Sequence, residues 1–310
     1  MVKERVAIVG SYNVGLFFKG AIIPPIGETV IGSDFFESAG GKGSNQVIAA
    51  SKLGVDTKFI GKIGDDKYGK DALDLYKELG ISTKSVFVTR DSHTGMSVIL
   101  IDKEGNNAIE VVPGANYDLT KDEIDSAVKE LEDTAIVGFQ LENKLELVSY
   151  AIKRVHELGI PTMLDPAPAA DIPDEIYKYL DYIKPNEHEA KILTGVKVNS
   201  VESAIKAGKW FRKKGVNVAI ITLGENGVVI VQQNEKVDHY EAPVVEPVDT
   251  TGAGDCFSGA FMAAIAKKSS LDEAVDFANS AAALSVQKPG VVESLPTEEE
   301  VLDGVGSSRE

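Results

Sequence analysis

Asp249-Thr250-Thr251-Gly252-Ala253-Gly254-Asp255 is the stretch of this 310-residue sequence whose residue types and spacing suit chemistry. It follows an extended Val- and Pro-rich run over 240–247 and opens an apolar, small-residue segment over 257–266 that predicts a buried helix. A Gly-Ala-Gly turn at a helix start leaves several backbone N–H groups without helical partners and pointing one way. The helix dipole adds to them, so the turn makes an anion cradle. Asp255 sits inside it, although Asp249 and the two threonines already offer capping oxygens. A carboxylate there suits a general base that takes the proton of a hydroxyl. Gly252, Ala253 and Gly254 would meanwhile hold the transferring phosphoryl group. A single Gly-x-Gly usually means only a capped helix after a turn; seven consecutive constrained residues argue for a site.

A second glycine-rich stretch, Gly40-Gly41-Lys42-Gly43-Ser44-Asn45-Gln46, feeds a predicted helix over 45–53 that stops at Gly54. It is not a P-loop, because Gly-x-x-x-x-Gly-Lys-[Ser/Thr] is absent and Lys42 is followed by Gly43. Gly41 and Gly43 let the backbone approach a polyhydroxylated ligand closely, and Asn45 offers a donor and an acceptor at the helix start. Further on, Lys184-Pro185-Asn186-Glu187-His188-Glu189-Ala190 joins a short strand to a helix. Pro185 keeps Lys184 extended, Asn186 is a good N-cap, and Asn186 and Glu189 face the same space. A capping box explains that spacing equally well. His188 reads as an exposed helix histidine. Thr222-Leu223-Gly224-Glu225-Asn226-Gly227 reads as strand, glycine turn, strand, and Asn279 lies on an apolar helix where an unpaired amide is costly.

The two glycine-rich stretches together resemble the N- and C-terminal signatures of the ribokinase-like (PfkB) carbohydrate kinases, with similarity running over 6–296. The resemblance implies one kinase domain over 1–310, with a three-layer αβα body, a mostly parallel central sheet and a small β-sheet lid. It implies ATP-dependent phosphorylation of a primary hydroxyl of a small sugar, ribose first. A 2-deoxy sugar, a ketose or a nucleoside are the same-class alternatives, and a sugar-binding regulator without turnover is the rival of another class. It makes Asp255 the base and places Asn13, Gly15, Gly41, Lys42, Gly43, Asn45 and Glu142 around the sugar. Asn186, Thr222, Gly224, Glu225, Gly227, Gly254 and Asn279 fall to the nucleotide, with Glu189 organising Mg²⁺ through water. It also implies a K⁺ site from the carbonyls of Thr251, Ser285, Lys288 and Gly290 with Asp249 and Ser294; unaided, 287–294 reads as a surface loop. The chain departs from the pattern in two places. Gly15 stands where ribokinases carry an aspartate that grips vicinal sugar hydroxyls, and the turn Asp165-Pro166-Ala167-Pro168 has Asp in place of Asn.

These residues need a scaffold, and the pattern supplies one. Strand 6–9 ends at Gly10-Ser11, the edge where open α/β sheets present ligand-facing residues. Gly10-Ser11-Tyr12-Asn13-Val14-Gly15 lacks Gly-x-Gly-x-x-Gly and no helix follows, which excludes a dinucleotide fold. Alternating strands and helices from 57 onward predict a largely parallel sheet covered on both faces. Asp65-Asp66 reads as a solvated turn and N-cap rather than a metal pair. Early strands within 12–38 and the hairpin 96–112 are assigned to a lid that is apolar on two faces: Leu16, Phe17, Phe18, Ile22 and Ile23 on one segment, Val98, Ile99, Leu100 and Ile101 on the other. One face would close over the sugar and the other would pack on a second subunit as a two-fold homodimer. The tail 304–310 reads as frayed. Thirty-two basic against 48 acidic residues, net −16, disfavour nucleic acid and anionic membranes, so any phosphate site must be local. A single cysteine, Cys256, reads as a small core residue in a reducing cytoplasm, and no run reaches the roughly 18 apolar residues of a membrane helix.

Overall fold

The computed structural model describes residues 4–233 and 236–307, the side chains of 305–307 excepted. Its strands are β1 (Arg5–Val9), β2 (Asn13–Gly20), β3 (Gly32–Gly40), β4 (Thr57–Gly64), β5 (Ser82–Thr89), β6 (Gly95–Ile101), β7 (Asn107–Val112), β8 (Thr134–Phe139), β9 (Thr162–Leu164), β10 (Tyr182–Ile183), β11 (Val218–Thr222), β12 (Val228–Val231) and β13 (Val237–Tyr240). Its α-helices are α1 (Lys42–Lys52), α2 (Lys67–Glu78), α3 (Lys121–Val128), α4 (Leu145–Glu157), α5 (Glu187–Thr194), α6 (Val201–Lys213), α7 (Ala253–Ala266), α8 (Leu271–Ser285) and α9 (Glu298–Ser307).

β1 shows why the body has three layers. Successive side chains of a strand point to opposite faces, and β1 is apolar at every buried position. Ala7 and Val9 enter one core with Val128 of α3, Ile152 of α4 and Phe211 of α6. Val6 and Ile8 enter the other, with Ile48 of α1, Tyr76 of α2, Phe261 of α7 and Val275 of α8. Nine strands form the central sheet in the order β13-β12-β11-β10-β9-β8-β1-β4-β5. It is parallel from β11 to β5, and β12 and β13 are antiparallel at one edge. Every parallel strand therefore delivers its C-terminal end to the same edge, where ligands bind in open α/β sheets.

A second sheet of four strands, β3-β2-β6-β7, stands apart from the body as a lid. Its β2 and β6 run parallel, and the outer pairs are antiparallel. Gly15, Phe17, Phe36, Ile99 and Ile109 share one face by register, while Leu16, Phe18, Phe35 and Leu100 share the other. Both faces are thus apolar, and Phe18, Phe35, Phe36 and Ile109 are exposed. Ile22 and Ile23 were expected in the lid strands but lie beyond the end of β2.

Several boundaries differ from expectation. α1 and α7 begin earlier than the predicted 45 and 257, so Asn45 and Asp255 are first-turn helical residues. Among the helices expected from 57 onward, the one over 173–180 is a 3₁₀ segment, Asp174–Tyr179. Residues 304–307 are not frayed but end α9; the remainder of the expected tail, 308–310, lies outside the described residues. β5 and α3 had no counterpart in the sequence reading. Among the described residues no helix is long and apolar enough to cross a membrane.

Candidate active site

The cradle forms as its sequence requires. Gly252, the N-cap of α7, has φ 81°, a left-handed conformation that only glycine adopts freely, and no side chain caps the helix among the described residues. The two threonines do not serve as caps. Asp249 turns inward instead: its Oδ1 accepts the Thr251 N–H at 2.9 Å and its Oδ2 accepts the Gly290 N–H at 3.1 Å. Burial alone would raise the Asp249 carboxyl, but these N–H donors hold it below its usual range. Of the first-turn N–H groups of α7, that of Cys256 donates to the Gly252 carbonyl at 2.8 Å and, contrary to expectation, that of Ala253 makes a long bond of 3.3 Å to the Thr250 carbonyl. Those of Gly254 and Asp255 therefore face a ligand most freely.

Asp255 is 5% exposed. Its Oδ2 accepts from Asn45 Nδ2 at 2.9 Å and its Oδ1 from Gln46 Nε2 at 3.1 Å. Both donors are amide nitrogens near the start of α1, so both carboxyl oxygens are fixed as acceptors. Gln46 Nε2 also donates to Asp165 Oδ2 at 2.9 Å, and Gln46 Oε1 accepts from Gln140 Nε2 at 2.6 Å. One glutamine thus fixes two buried aspartates. Asn45 Oδ1 is buried with no hydrogen-bond partner among the described residues. An orphaned acceptor beside a carboxylate is costly unless a ligand hydroxyl supplies the proton. Lys42 completes this corner: the Asp255 carboxylate raises its ammonium well above the usual range against the opposing effect of burial, with Asp165, Glu142 and Glu189 adding to the rise.

At the other expected end, Glu142 Oε2 accepts from Ser11 Oγ at 2.5 Å, the Lys42 N–H at 2.8 Å and Asn13 Nδ2 at 3.5 Å. Asn13 Oδ1 accepts from Asn116 Nδ2 at 2.9 Å, which fixes the start of β2. The structure therefore brings Asn13, Lys42, Asn45, Glu142 and Asp255 together. It gives Gly41 and Gly43 another reason than the one expected. A Cβ at Gly41 would lie 2.7 Å from the Asn13 nitrogen, and one at Gly43 2.7 Å from the Gly10 Cα, so it is the protein's own backbone that approaches. At Gly15 a Cβ would lie 2.6 Å from the Phe17 ring, which lies face to face with Phe36 at 4.6 Å between centroids.

Asn186 and Glu189 form the capping box: each backbone N–H donates to the other's side-chain oxygen at 2.8 Å. Burial pushes the Glu189 carboxyl up, and Asp165 adds to that rise. Asn186 also bridges to Thr222, so the α5 turn and the end of β11 sit side by side. Beside them opens a cleft of about 430 Å³ lined by Glu187, Glu225, Asn226, His239, Glu241 and Val244. Glu225 is in its wall, whereas Asn279 donates to the Glu241 carbonyl at 2.7 Å and so shapes that wall from behind. Gly227 is sterically obligatory, because a Cβ there would collide with the Tyr240 carbonyl; Gly224 has open space around it. At the expected cation loops, the N–H groups of Val248 and Asp249 donate to the Val286 carbonyl, and Ser285 and Ser294 are buried. Lys288 reaches outward to Glu300 at 2.8 Å.

Residues 3–298 match the family described as pfkB family carbohydrate kinase. The chain belongs to that family. This kinase is 36% identical over 302 residues to a ribokinase of Haemophilus influenzae, covering 97% of this chain and 98% of that one. It is 34% identical to a deoxyribokinase of Salmonella typhi, covering 95% and 96%. Its fold is similar to the solved structure of Arabidopsis thaliana ribokinase complexed with ribose and ATP, with a TM-score of 0.90, 31% identity and coverage of 97% and 98%. The kinase is a phosphotransferase with the ribokinase-like αβα body and lid expected of it.

Sequence reasoning singled out neither Gln46 nor the buried pair of Lys184 and Asp165 as parts of the site. Gln46 stood in the second motif, and its amide beside Asn45 was the available signal. Cys256 is fully buried and burial pushes its thiol up to about 12, consistent with a core residue. Asp66 caps α2 through the Gly69 N–H at 2.8 Å and accepts from Thr94, while Asp65 pairs with Arg90. His188 is exposed.

Proposed function

We propose that this kinase transfers the γ-phosphoryl group of ATP to a primary hydroxyl of a small sugar, ribose in the first instance. The observation that carries this reading is Asp255, buried, oriented by two amide donors, and set at an uncapped helix N-terminus beside the orphaned Asn45 Oδ1. In the proposed reaction the substrate hydroxyl lies between Asp255 and the cradle of Gly252, Ala253 and Gly254. Asp255 takes its proton as the oxygen attacks, and the cradle N–H groups hold the charge on the phosphoryl oxygens. Asn13, Lys42 and Glu142 hold the sugar, and the cleft at Glu225 and Asn226 takes the nucleotide. A carboxylate placed this way favours turnover over a binding-only regulator, since binding does not require a base.

A deoxy sugar is the second reading, and Gly15 favours it. A carboxylate lost from a ligand hydroxyl weakens binding by about 1.5–3 kcal/mol if the ligand has that hydroxyl. The Phe17 ring fills the space instead, which suits a substrate that is less polar there. A coupled ADP-release screen over pentoses, 2-deoxypentoses, ketoses and nucleosides tests both. ADP release with none of them overturns the kinase reading for sugars, and a preference for 2-deoxyribose over ribose selects the second.

Glu189 fits Mg²⁺: a buried carboxyl raised by burial, with Asp165 adding to the rise, is short of a cation, and Mg²⁺ held through water needs few carboxylates. Bound there, the ion would neutralise charge on the nucleotide phosphates. The hard oxygen donors of Thr251, Ser285, Lys288, Gly290, Asp249 and Ser294 fit K⁺. Asp249 already ties the α7 turn to the Gly290 loop, so ordering either loop orders the cradle. Initial rates are expected to be severalfold higher in K⁺ than in Na⁺ at equal ionic strength; equal rates sink this assignment.

We assign the exposed apolar lid face to a second copy of the chain, giving a two-fold dimer in the cytoplasm. Phe18 and Phe35, 41% and 49% exposed, lie 4.9 Å apart on that face with Leu16 and Leu100. Light scattering at micromolar concentration is expected to give twice the chain mass of 33.1 kDa, and the single-chain mass would remove the lid from the assembly.

A further inference from the structure

Lys184 is a buried charge that the reaction described above does not use. It is the last residue before the Pro185 turn into α5, its side chain is 3% exposed, and its Nζ lies 3.1 Å from Asp165 Oδ2, itself 4% exposed. Burying two charges costs more than a pair of apolar side chains would, so stability alone is a weak reason for them. Nor are they needed to join the strands, because β9 and β10 pair through their backbones. The position of the ammonium is informative. A Cβ on Gly254 would lie 3.4 Å from Lys184 Nζ, which places the charge in contact range of the first turn of α7. Asp165 is braced from two further sides, by Gln46 Nε2 at 2.9 Å and Ser258 Oγ at 3.0 Å. Since Gln46 also donates to Asp255, the cation and the base are oriented by the same amide.

We propose that Lys184 is a catalytic residue of this kinase: its ammonium, braced by Asp165, contacts the phosphoryl group in flight at the α7 cradle. The proposal rests on the reading of that cradle as the phosphoryl site. The substrate oxygen forms the new bond to phosphorus, and the bond from phosphorus to the β,γ-bridging oxygen breaks. The hydroxyl proton goes to Asp255, and the departing diphosphate keeps the electron pair. Lys184 makes no covalent bond; it balances charge on the equatorial oxygens in a dry site where a fixed cation is most effective. The strongest charge acting on the Lys42 ammonium is the Asp255 carboxylate, whereas Lys184 is paired with Asp165, so the two lysines answer to different carboxylates.

The test is the double variant Asp165→Asn with Lys184→Met, which removes both charges and leaves no buried ion unpaired. It is expected to melt close to wild type and bind ADP as tightly, while kcat falls about 100-fold. ADP with aluminium fluoride and the accepted sugar should lose affinity by a similar factor, which a merely structural pair would not cause. A folded double variant with kcat within threefold of wild type overturns the proposal. Lys184→Gln is the second variant if the first does not fold, and a folded form of it with wild-type kcat also overturns the proposal. Wild-type protein that releases no ADP with any alcohol, yet binds ADP, would fail the reading of the cradle and not the role of Lys184 alone.

Discussion

Asp255→Asn is expected to fold, bind ATP and lose turnover by about a thousandfold or more, at the upper end of what removing a general base costs. The substitution keeps shape and volume, so packing around α7 is unchanged. One acceptor oxygen becomes an NH₂ group and faces either Asn45 Nδ2 or Gln46 Nε2, two donors in contact. Left alone, such a pair costs about 1–3 kcal/mol. Asn45 has a way out, because its own Oδ1 has no partner and rotation of its amide presents that oxygen to the new donor. The stability loss should therefore fall at the low end, while the proton acceptor is gone. Thermal melting, ATP titration and ADP release on one preparation separate the two effects. A variant that keeps more than a tenth of wild-type turnover removes Asp255 from the mechanism.

The same arrangement shows which parts of the site the sequence made legible. Asp249 to Asp255 and Gly40 to Gln46 were readable because a run of small and turn-forming residues has few structural uses, and both runs flank helix starts. The body was readable because β1, β4 and β11 are buried runs bounded by turns. β5 was not, since Ser82, Thr83, Lys84 and Ser85 interrupt its apolar pattern and its pairing to β4 is what makes it a strand. Lys184 and Asp165 stood in quoted segments, but only the parallel pairing of β9 with β10 brings their side chains together. The glycines misled in a consistent way. At Gly41 and Gly43 the partner in close approach is β1–β2 backbone, and no local pattern distinguishes that from a ligand.

Gly259→Ala carries this last point to a measurable consequence. Gly259 lies one helical turn after Asp255, at the contact of α7 with α1. A Cβ there would lie 2.6 Å from Ala49 Cβ and 2.6 Å from the Gln46 carbonyl oxygen, with the Ala50 nitrogen at 3.0 Å. Two of these atoms are backbone, so no rotamer change relieves the clash and the helices must part by about 1 Å to regain ordinary contact. Overpacking of this kind costs about 1–3 kcal/mol. Replacing glycine by alanine inside a helix returns about 1 kcal/mol, so the net loss of stability should be small. Activity has no such compensation. The residue whose carbonyl is pushed away is Gln46, whose amide, with that of Asn45, positions Asp255 across the same helix contact. A misplacement of that size is expected to lower kcat about 100-fold. The expected signature is a melting temperature within a few degrees of wild type together with a collapse in kcat. A folded variant with wild-type kcat would mean that the α1–α7 contact does not set the geometry of the base.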